Sequence, residues 1–193
     1  MKIICLDSGH VSRHMPFRIK PASALLLPHN PFFYPDFSKK IEARLGVVIR
    51  VSKPGRSVAA KFAHLHYDSF AVALDLVAAD LLEACRTNGV PCDMASSFDG
   101  SFPVGKFQEI SRLDGSFDDV AFSLSINGDR VAGSRVGNMA PDFDAFVENV
   151  SQFVTLREGD YVFASLPDSH SLNVGDRIEI GLGDTVSFWF NIR

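Results

Sequence analysis

The chain reads as an α+β fold in which sheet dominates, and three observations carry that reading. The run Leu45 to Val51 (LGVVIRV) is apolar and β-branched, the mark of a strand buried on at least one face, and Lys53-Pro54-Gly55 closes it with turn chemistry. AFSLSI alternates and runs into Asn127-Gly128, the strongest short-range hairpin signal in the chain. Only two segments carry clear helical spacing, around Leu81, Leu82 and Cys85 and along the stripe Phe143, Phe146, Val147, Val150 and Phe153.

Taken in order, Ile3 to Leu6 is a short buried strand, and the polar segment DSGHVSRH after it has no periodicity. Four prolines between Pro21 and Pro35 exclude a helix and favour extended pieces joined by turns. Phe70 to Leu76 (FAVALDL) is apolar except at Asp75, and by pattern alone it is a strand or the start of a helix. Asn88-Gly89 and Pro91 stop the helix that contains Cys85. After Asp99-Gly100 the chain turns β-rich. Pro141-Asp142 starts the second helix, and strands over Tyr161 to Leu166, Arg177 to Ile180 and Thr185 to Ile192 finish the chain, with turns at Gly175-Asp176 and Gly183-Asp184. With no internal repeat, linker or low-complexity tract, one domain over residues 1–193 is expected, a length that buries roughly two thirds of the unfolded surface.

A formal net charge of −4 without any basic run argues against nucleic acid or an anionic membrane as partner. Cys5, Cys85 and Cys92 are odd in number and form no Cys-x-x-Cys pair, so neither a disulfide framework nor a thiolate zinc site is expected. The apolar start is too short for a signal peptide, and no run approaches the roughly 18 residues of a membrane span. A cytoplasmic protein is the expectation.

Several constellations carry residue types used in catalysis. His64-x-His66 with Asp68 offers two imidazoles, but zinc needs three or four ligands, so a polar loop is the preferred reading. His10 and His14 stand four apart without an apolar stripe to support a helix. Asp168-Ser169-His170-Ser171 has the residue types of a hydrolytic triad but no nucleophile elbow. The Phe143 to Phe153 stripe is core packing. Asp75 stands apart: a carboxylate in an apolar run is costly to bury unless paired, protonated or bound to a cation, so it is either a site group or a structural acceptor.

KPASAL at Lys20 to Leu25, the strand ending VVIRV, FAHLHYDSFAVALDLVAAD, SSFDGSFPVG, the hairpin SINGDRV and TLREGDYVF together resemble the fumarylacetoacetate hydrolase family in order and spacing. The resemblance spans nearly the whole chain. It implies a mixed β-roll, a homodimer, and a divalent cation, magnesium or manganese, at the mouth of the roll. It also implies hydrolysis, isomerisation or decarboxylation of 2-oxo and diketo acids, with the cation chelated by substrate oxygens and acting as a Lewis acid.

This sequence departs from the family's pattern where the chemistry resides. At the Glu-x-Glu metal pair an ungapped alignment places Arg44 and Gly46; a shifted one keeps Glu42 first but still leaves Arg44 second. Asp75 matches the third metal ligand in both. A guanidinium cannot coordinate a cation and repels one nearby by about 1 to 4 kcal/mol at surface-like dielectrics. Arg44 is therefore expected to pair with Asp75 in the cation's place.

The family's lysine before the Phe-Asp-Gly turn matches Ser96, and its Asn-Tyr-x-x-His pattern corresponds to Gly9, His10 and Arg13, with His14 one place out of register. The segment between His14 and Lys20 is shorter than in the family by about ten residues, a loss of lid. The family's Thr-Gly-Thr-Pro turn reads Ala164-Ser165-Leu166-Pro167. Lys20, Asp75, Asp80 and Asp99 fit the pattern, with Lys20, Arg44, Asp80 and Asp99 as cleft candidates. The resemblance and its losses together imply a member with a degenerate metal site, either inactive and binding-only or a divergent enzyme for a small 2-oxo or diketo acid. No cofactor is expected unless a residual magnesium or manganese site survives. Partners would be a second copy, a small carboxylic acid ligand, or an active homologue in a heteromer.

Overall fold

The two longest strands are Ile41–Val51 and Tyr67–Ala78, paired antiparallel along nearly their whole length. The computed structural model describes residues 1–6, 14–139 and 142–193, so Gly9, His10, Arg13 and the start of the second helix at Pro141 lie outside the described residues. In chain order the first elements are β1 (Ile3–Leu6), β2 (Phe17–Lys20), β3 (Leu25–Leu26), β4 (Ile41–Val51), the short α1 (Ala60–Ala63), β5 (Tyr67–Ala78), α2 (Ala79–Asn88) and α3 (Asp93–Ser96). There follow β6 (Phe102–Pro103), β7 (Gln108–Glu109), β8 (Ala121–Ile126), β9 (Asp129–Arg135), α4 (Phe143–Phe153), β10 (Tyr161–Ser165), β11 (His170–Leu172), β12 (Arg177–Leu182) and β13 (Thr185–Asn191).

The large sheet has the order β2-β1-β10-β4-β5-β7, with β11 also on β4; β1 and β10 run parallel and the other pairs antiparallel. A second, antiparallel sheet has the order β13-β12-β8-β9, and β3 pairs with β6. The architecture is the mainly β, mixed β-roll arrangement that the sequence implied.

Both faces of the large sheet are covered. On one, Leu45, Val47, Ile49, Val72, Leu74 and Leu76 pack with Phe122, Ile178 and Phe188 of the second sheet and with Phe146 and Val150 of α4. On the other, Val48, Ala71 and Ala73 pack with Ile3, Cys5, Phe102 and Phe163. Double burial makes β5 a continuous apolar run instead of an alternating one, which is why its pattern alone does not separate strand from helix.

The punctuation behaves as its chemistry requires. Asn127 and Gly128 both take positive φ (55° and 91°), the backbone of a type I′ hairpin turn between β8 and β9. Gly89 is left-handed (φ 64°), and Val90 N donates to Cys85 O at 3.0 Å as the chain folds back over the end of α2. At α4, Asp142 caps the helix by accepting from Ala145 N at 2.7 Å. Four residues of the expected stripe are buried, but Phe153 at the helix end is exposed and stacks edge-on with His14.

Two expectations needed correction. The strand read as starting at Leu45 begins at Ile41, because Glu42 and Arg44 point to the face opposite the core and break the apolar run. The short strand β11 has no pattern of its own and forms by pairing with Ile41, Glu42 and Ala43 at the start of β4.

Candidate functional site

Register builds the site. On β4, side chains alternate, so Glu42, Arg44 and Gly46 share the face opposite Ile41, Ala43 and Leu45. Arg44 lies directly across from Asp75, Glu42 from Val77 and Gly46 from Ala73. Opposed residues of an antiparallel pair share a face, so the three positions matched to the family's metal carboxylates converge at one end of the β4–β5 ladder.

Asp75 is buried there, at 1% exposure, and two cations from β2 enclose it. Arg18 and Lys20 are alternate residues of that short strand and project together. Arg18 Nη2 donates to Asp75 Oδ2. The Lys20 ammonium, fully buried, lies 2.7 Å from Asp75 Oδ1. Its three protons have other acceptors, however: Ser101 O at 2.9 Å, Ser101 Oγ at 3.1 Å and Leu76 O at 3.2 Å. The Lys20–Asp75 contact is therefore coulombic, and Oδ1 has no hydrogen bond among the described residues.

The expected pairing of Arg44 with Asp75 is thus corrected: they are register partners, but the ion pairs at Asp75 come from Arg18 and Lys20. Among the described residues Arg44 makes no ion pair. Beside this cluster, burial first and the Asp75 carboxylate second push the Cys5 thiol up to about 12, against the opposing pull of Lys20 and Arg18.

Over the cluster opens a cleft of about 350 Å³, the lower end of small-molecule site sizes. Arg18, Arg44 and Arg86 supply positive charge, Asp93 one negative charge, Ser96 a hydroxyl, and Val77 and Leu82 an apolar wall. Ser96 is buried and its carbonyl accepts from Ser101 Oγ at 3.3 Å, so the position matched to the family's lysine is an uncharged part of the wall.

The remaining positions fall elsewhere. Gly46 is required by packing: a Cβ built there would overlap the Ala164 carbonyl oxygen and the Phe163 ring on β10. No carboxylate side chain fits at that position. Glu42 is tied to Lys40 at 2.7 Å and accepts from Ser169 Oγ at 2.7 Å, and these bonds hold its carboxyl below the usual carboxylate range.

Asp80 does not line the cleft. It anchors the loop before β4, accepting from Ser38 Oγ, Lys39 N and Leu81 N. Burial works against its ionisation, but those bonds outweigh it and lower its pKa. Asp99 is exposed at the turn whose Gly100 N donates to Ser23 O, and Lys20 lies beneath the cleft and not on its wall.

His64 and His66 form a short 3₁₀ turn, with His66 Nδ1 against Lys53 O, and no group of three or more His, Cys, Asp or Glu among the described residues is placed to hold a metal ion. His170 is on β11 opposite Ala43, and Ser169 bonds Glu42, so the triad residue types do not form a triad.

Sequence reasoning did not place Arg18, Arg86 or Cys92 at the cleft. Arg18 was legible in principle, since FRIK alternates and puts it beside Lys20; Arg86 reaches the cleft from α2, and Cys92 only through the reversal at Gly89.

Three guanidinium groups thus line one pocket at the end of a mixed β-roll. The profile of the Fumarylacetoacetate (FAA) hydrolase C-terminal family matches residues 7–189, and the chain belongs to that family. It is 32% identical to the mitochondrial oxaloacetate tautomerase of Caenorhabditis elegans, covering 100% of this chain and 94% of the relative. It is 25% identical to the mitochondrial oxaloacetate tautomerase of Homo sapiens, covering 91% and 79%. The fumarylpyruvate hydrolase of Pseudomonas aeruginosa, solved with Mn²⁺ and pyruvate, superposes with a TM-score of 0.90 at 22% identity, covering 100% of this chain and 89% of that one. That likeness concerns the fold.

Proposed function

We propose that this chain binds a small 2-oxo or dicarboxylic acid anion directly through arginine, without a divalent cation, and does not run the family's metal-dependent reaction. One observation carries the reading: Asp75, at the place of the third metal ligand, already has Arg18 and Lys20 on its two oxygens, while Arg44 stands across from it. The residues do not fit a divalent cation. It would have to displace Arg18 from Asp75, accept a second guanidinium, Arg44, on the same face, and do without a carboxylate at Gly46. Guanidinium groups instead supply paired N–H donors that match a carboxylate.

Titration calorimetry with oxalate in the presence of EDTA tests this. The expected result is one saturable site per chain, unchanged on adding manganese and weakened ten- to a hundredfold in Arg44→Ala, the loss of a charged hydrogen bond of about 1.5 to 3 kcal/mol. Binding that appears only with manganese contradicts it.

A second reading is favoured by the names of the relatives, which are oxaloacetate tautomerases. In it, Arg44 and Arg86 hold the substrate carboxylates, and catalysis proceeds without a metal. Enol-to-keto conversion of oxaloacetate, followed in the ultraviolet and abolished in Arg44→Ala, separates it from binding alone.

The reading extends to assembly as a homodimer or as a heteromer with an active homologue, distinguished by light scattering and by co-purification. No helix among the described residues is long and apolar enough to cross a membrane. A reducing compartment suits the three free cysteines; the cytoplasm is one, and the relatives named above are mitochondrial.

A further inference from the structure

Three charged side chains of the cleft wall, Arg44, Arg86 and Asp93, make no ion pair among the described residues. Arg18, the fourth, is committed to Asp75. The three reach the cleft from different elements. Arg44 rises from the sheet, across the β4–β5 ladder from Asp75. Arg86 stands four residues after Leu82 on the same face of α2, and so follows that apolar side chain by one helical turn. At Gly89 the backbone goes left-handed and the chain doubles back, with Val90 N donating to Cys85 O at 3.0 Å. Asp93 opens α3 just after this reversal, and α3 packs back on α2 and β5. Arg86 and Asp93 therefore flank one corner of the cleft without neutralising each other, while Val77 and Leu82 supply the apolar wall.

A plain dianion does not complement this wall. It satisfies two guanidiniums but meets Asp93 with like charge, and a cleft of about 350 Å³ leaves a small ligand little room to avoid it. Two fixed positive charges, one fixed negative charge and an apolar wall are matched by two carboxylates, one ammonium and a short methylene chain. We propose that the ligand of this cleft is an acidic α-amino acid. Its α-carboxylate lies on Arg86 and its α-ammonium on Asp93, because a zwitterionic head group needs opposite charges side by side. Its side-chain carboxylate lies on Arg44, with the methylenes against Val77 and Leu82. The inference rests on the anion-binding reading and narrows it: among dicarboxylic acids, the cleft selects those with an amine beside one carboxylate.

Titration calorimetry on the full chain, near neutral pH and with EDTA present, compares L-glutamate with glutarate and L-aspartate with succinate. Each pair shares both carboxylates and differs only in the ammonium. In at least one pair the amino acid is expected to bind about tenfold more tightly than its diacid, the effect of one charged hydrogen bond. Asp93→Asn should bring the two to equal affinity. Asp93 is exposed, so this change leaves the packing of the fold in place.

Equal affinity of the wild type for each amino acid and its diacid, or a preference that survives Asp93→Asn, overturns the proposal. Oxalate separates the two ways of failing. If oxalate binds and neither amino acid is preferred, the acidic amino acid is wrong and the anion-binding reading stands. If oxalate, the diacids and the amino acids all fail to bind, the anion-binding reading fails and takes this proposal with it.

Discussion

Asp75 and Asp160 are both buried to 1% exposure and both face a lysine, yet they do different work. Asp160 is a clip. Its Oδ1 accepts from Lys2 N at 3.0 Å, and its Oδ2 accepts from Arg157 N at 2.8 Å and from Lys2 Nζ, so both oxygens are satisfied, largely by backbone. It sits where Tyr161 N donates to Lys2 O, and so sets the parallel register of β1 on β10. Among the described residues Asp75 has no backbone donor of this kind. Two cationic side chains from β2 enclose it, one of its oxygens lacks a hydrogen bond among the described residues, and a cleft lies above it. A buried carboxylate satisfied by the nearby backbone is architecture; one held by side-chain cations beside a pocket is a candidate site.

Removing a cation partner from each carboxylate breaks or sharpens that contrast. Lys20→Met should be the most damaging change, costing about 3 to 5 kcal/mol in urea unfolding, because it strips charge compensation from a buried ion. Lys2→Met should cost less, about 1 to 3 kcal/mol, because Asp160 keeps two backbone donors and the Lys2 side chain is partly exposed. Equal losses would erase the distinction.

Gly46→Ala comes next. Its Cβ overlaps β10, so unfolding should become easier by about 1 to 3 kcal/mol even though the change adds one methyl group. A neutral result would reopen that position to a carboxylate and weaken the case against a metal.

The smallest effect concerns Asp80, whose carboxyl is held below its ordinary value in the fold. A depressed folded pKa gives stability that is present above the unfolded value near 3.9 and is lost as pH falls through the folded one. The stability gap between wild type and Asp80→Asn should therefore be constant near neutrality and close below about pH 4, with a size under about 1 kcal/mol because the group is partly exposed. A gap that widens in acid reverses the assignment.

Much of the fold was legible because its signals are local. The Asn127-Gly128 turn, the Gly89 stop and the α4 stripe each act within a few residues, and each formed as its chemistry requires. The site was only half legible. An isolated carboxylate in FAVALDL announces that burial must be compensated, so Asp75 stood out, but the pattern does not say by what. Its partners lie 57 and 55 positions earlier, and only the pairing of β2 with β1 brings them in. Arg44 was the natural candidate because the resemblance put it at a metal-ligand position; it is Asp75's register partner, but side-chain geometry gave the contact to Arg18 and Lys20. Gly46 looked like a lost glutamate, whereas the proximity of β10 explains why no side chain is there at all.

The central claim is that arginine has taken the cation's place at Asp75. Titration of free Mn²⁺ followed by electron paramagnetic resonance tests it most directly, since the hexaaqua ion's signal broadens when protein carboxylates replace its water. The account predicts that the signal keeps its intensity as protein is added, at concentrations up to about a millimolar, for wild type and Asp75→Asn alike. Loss of one equivalent of free signal per chain in wild type, absent in Asp75→Asn, would contradict it.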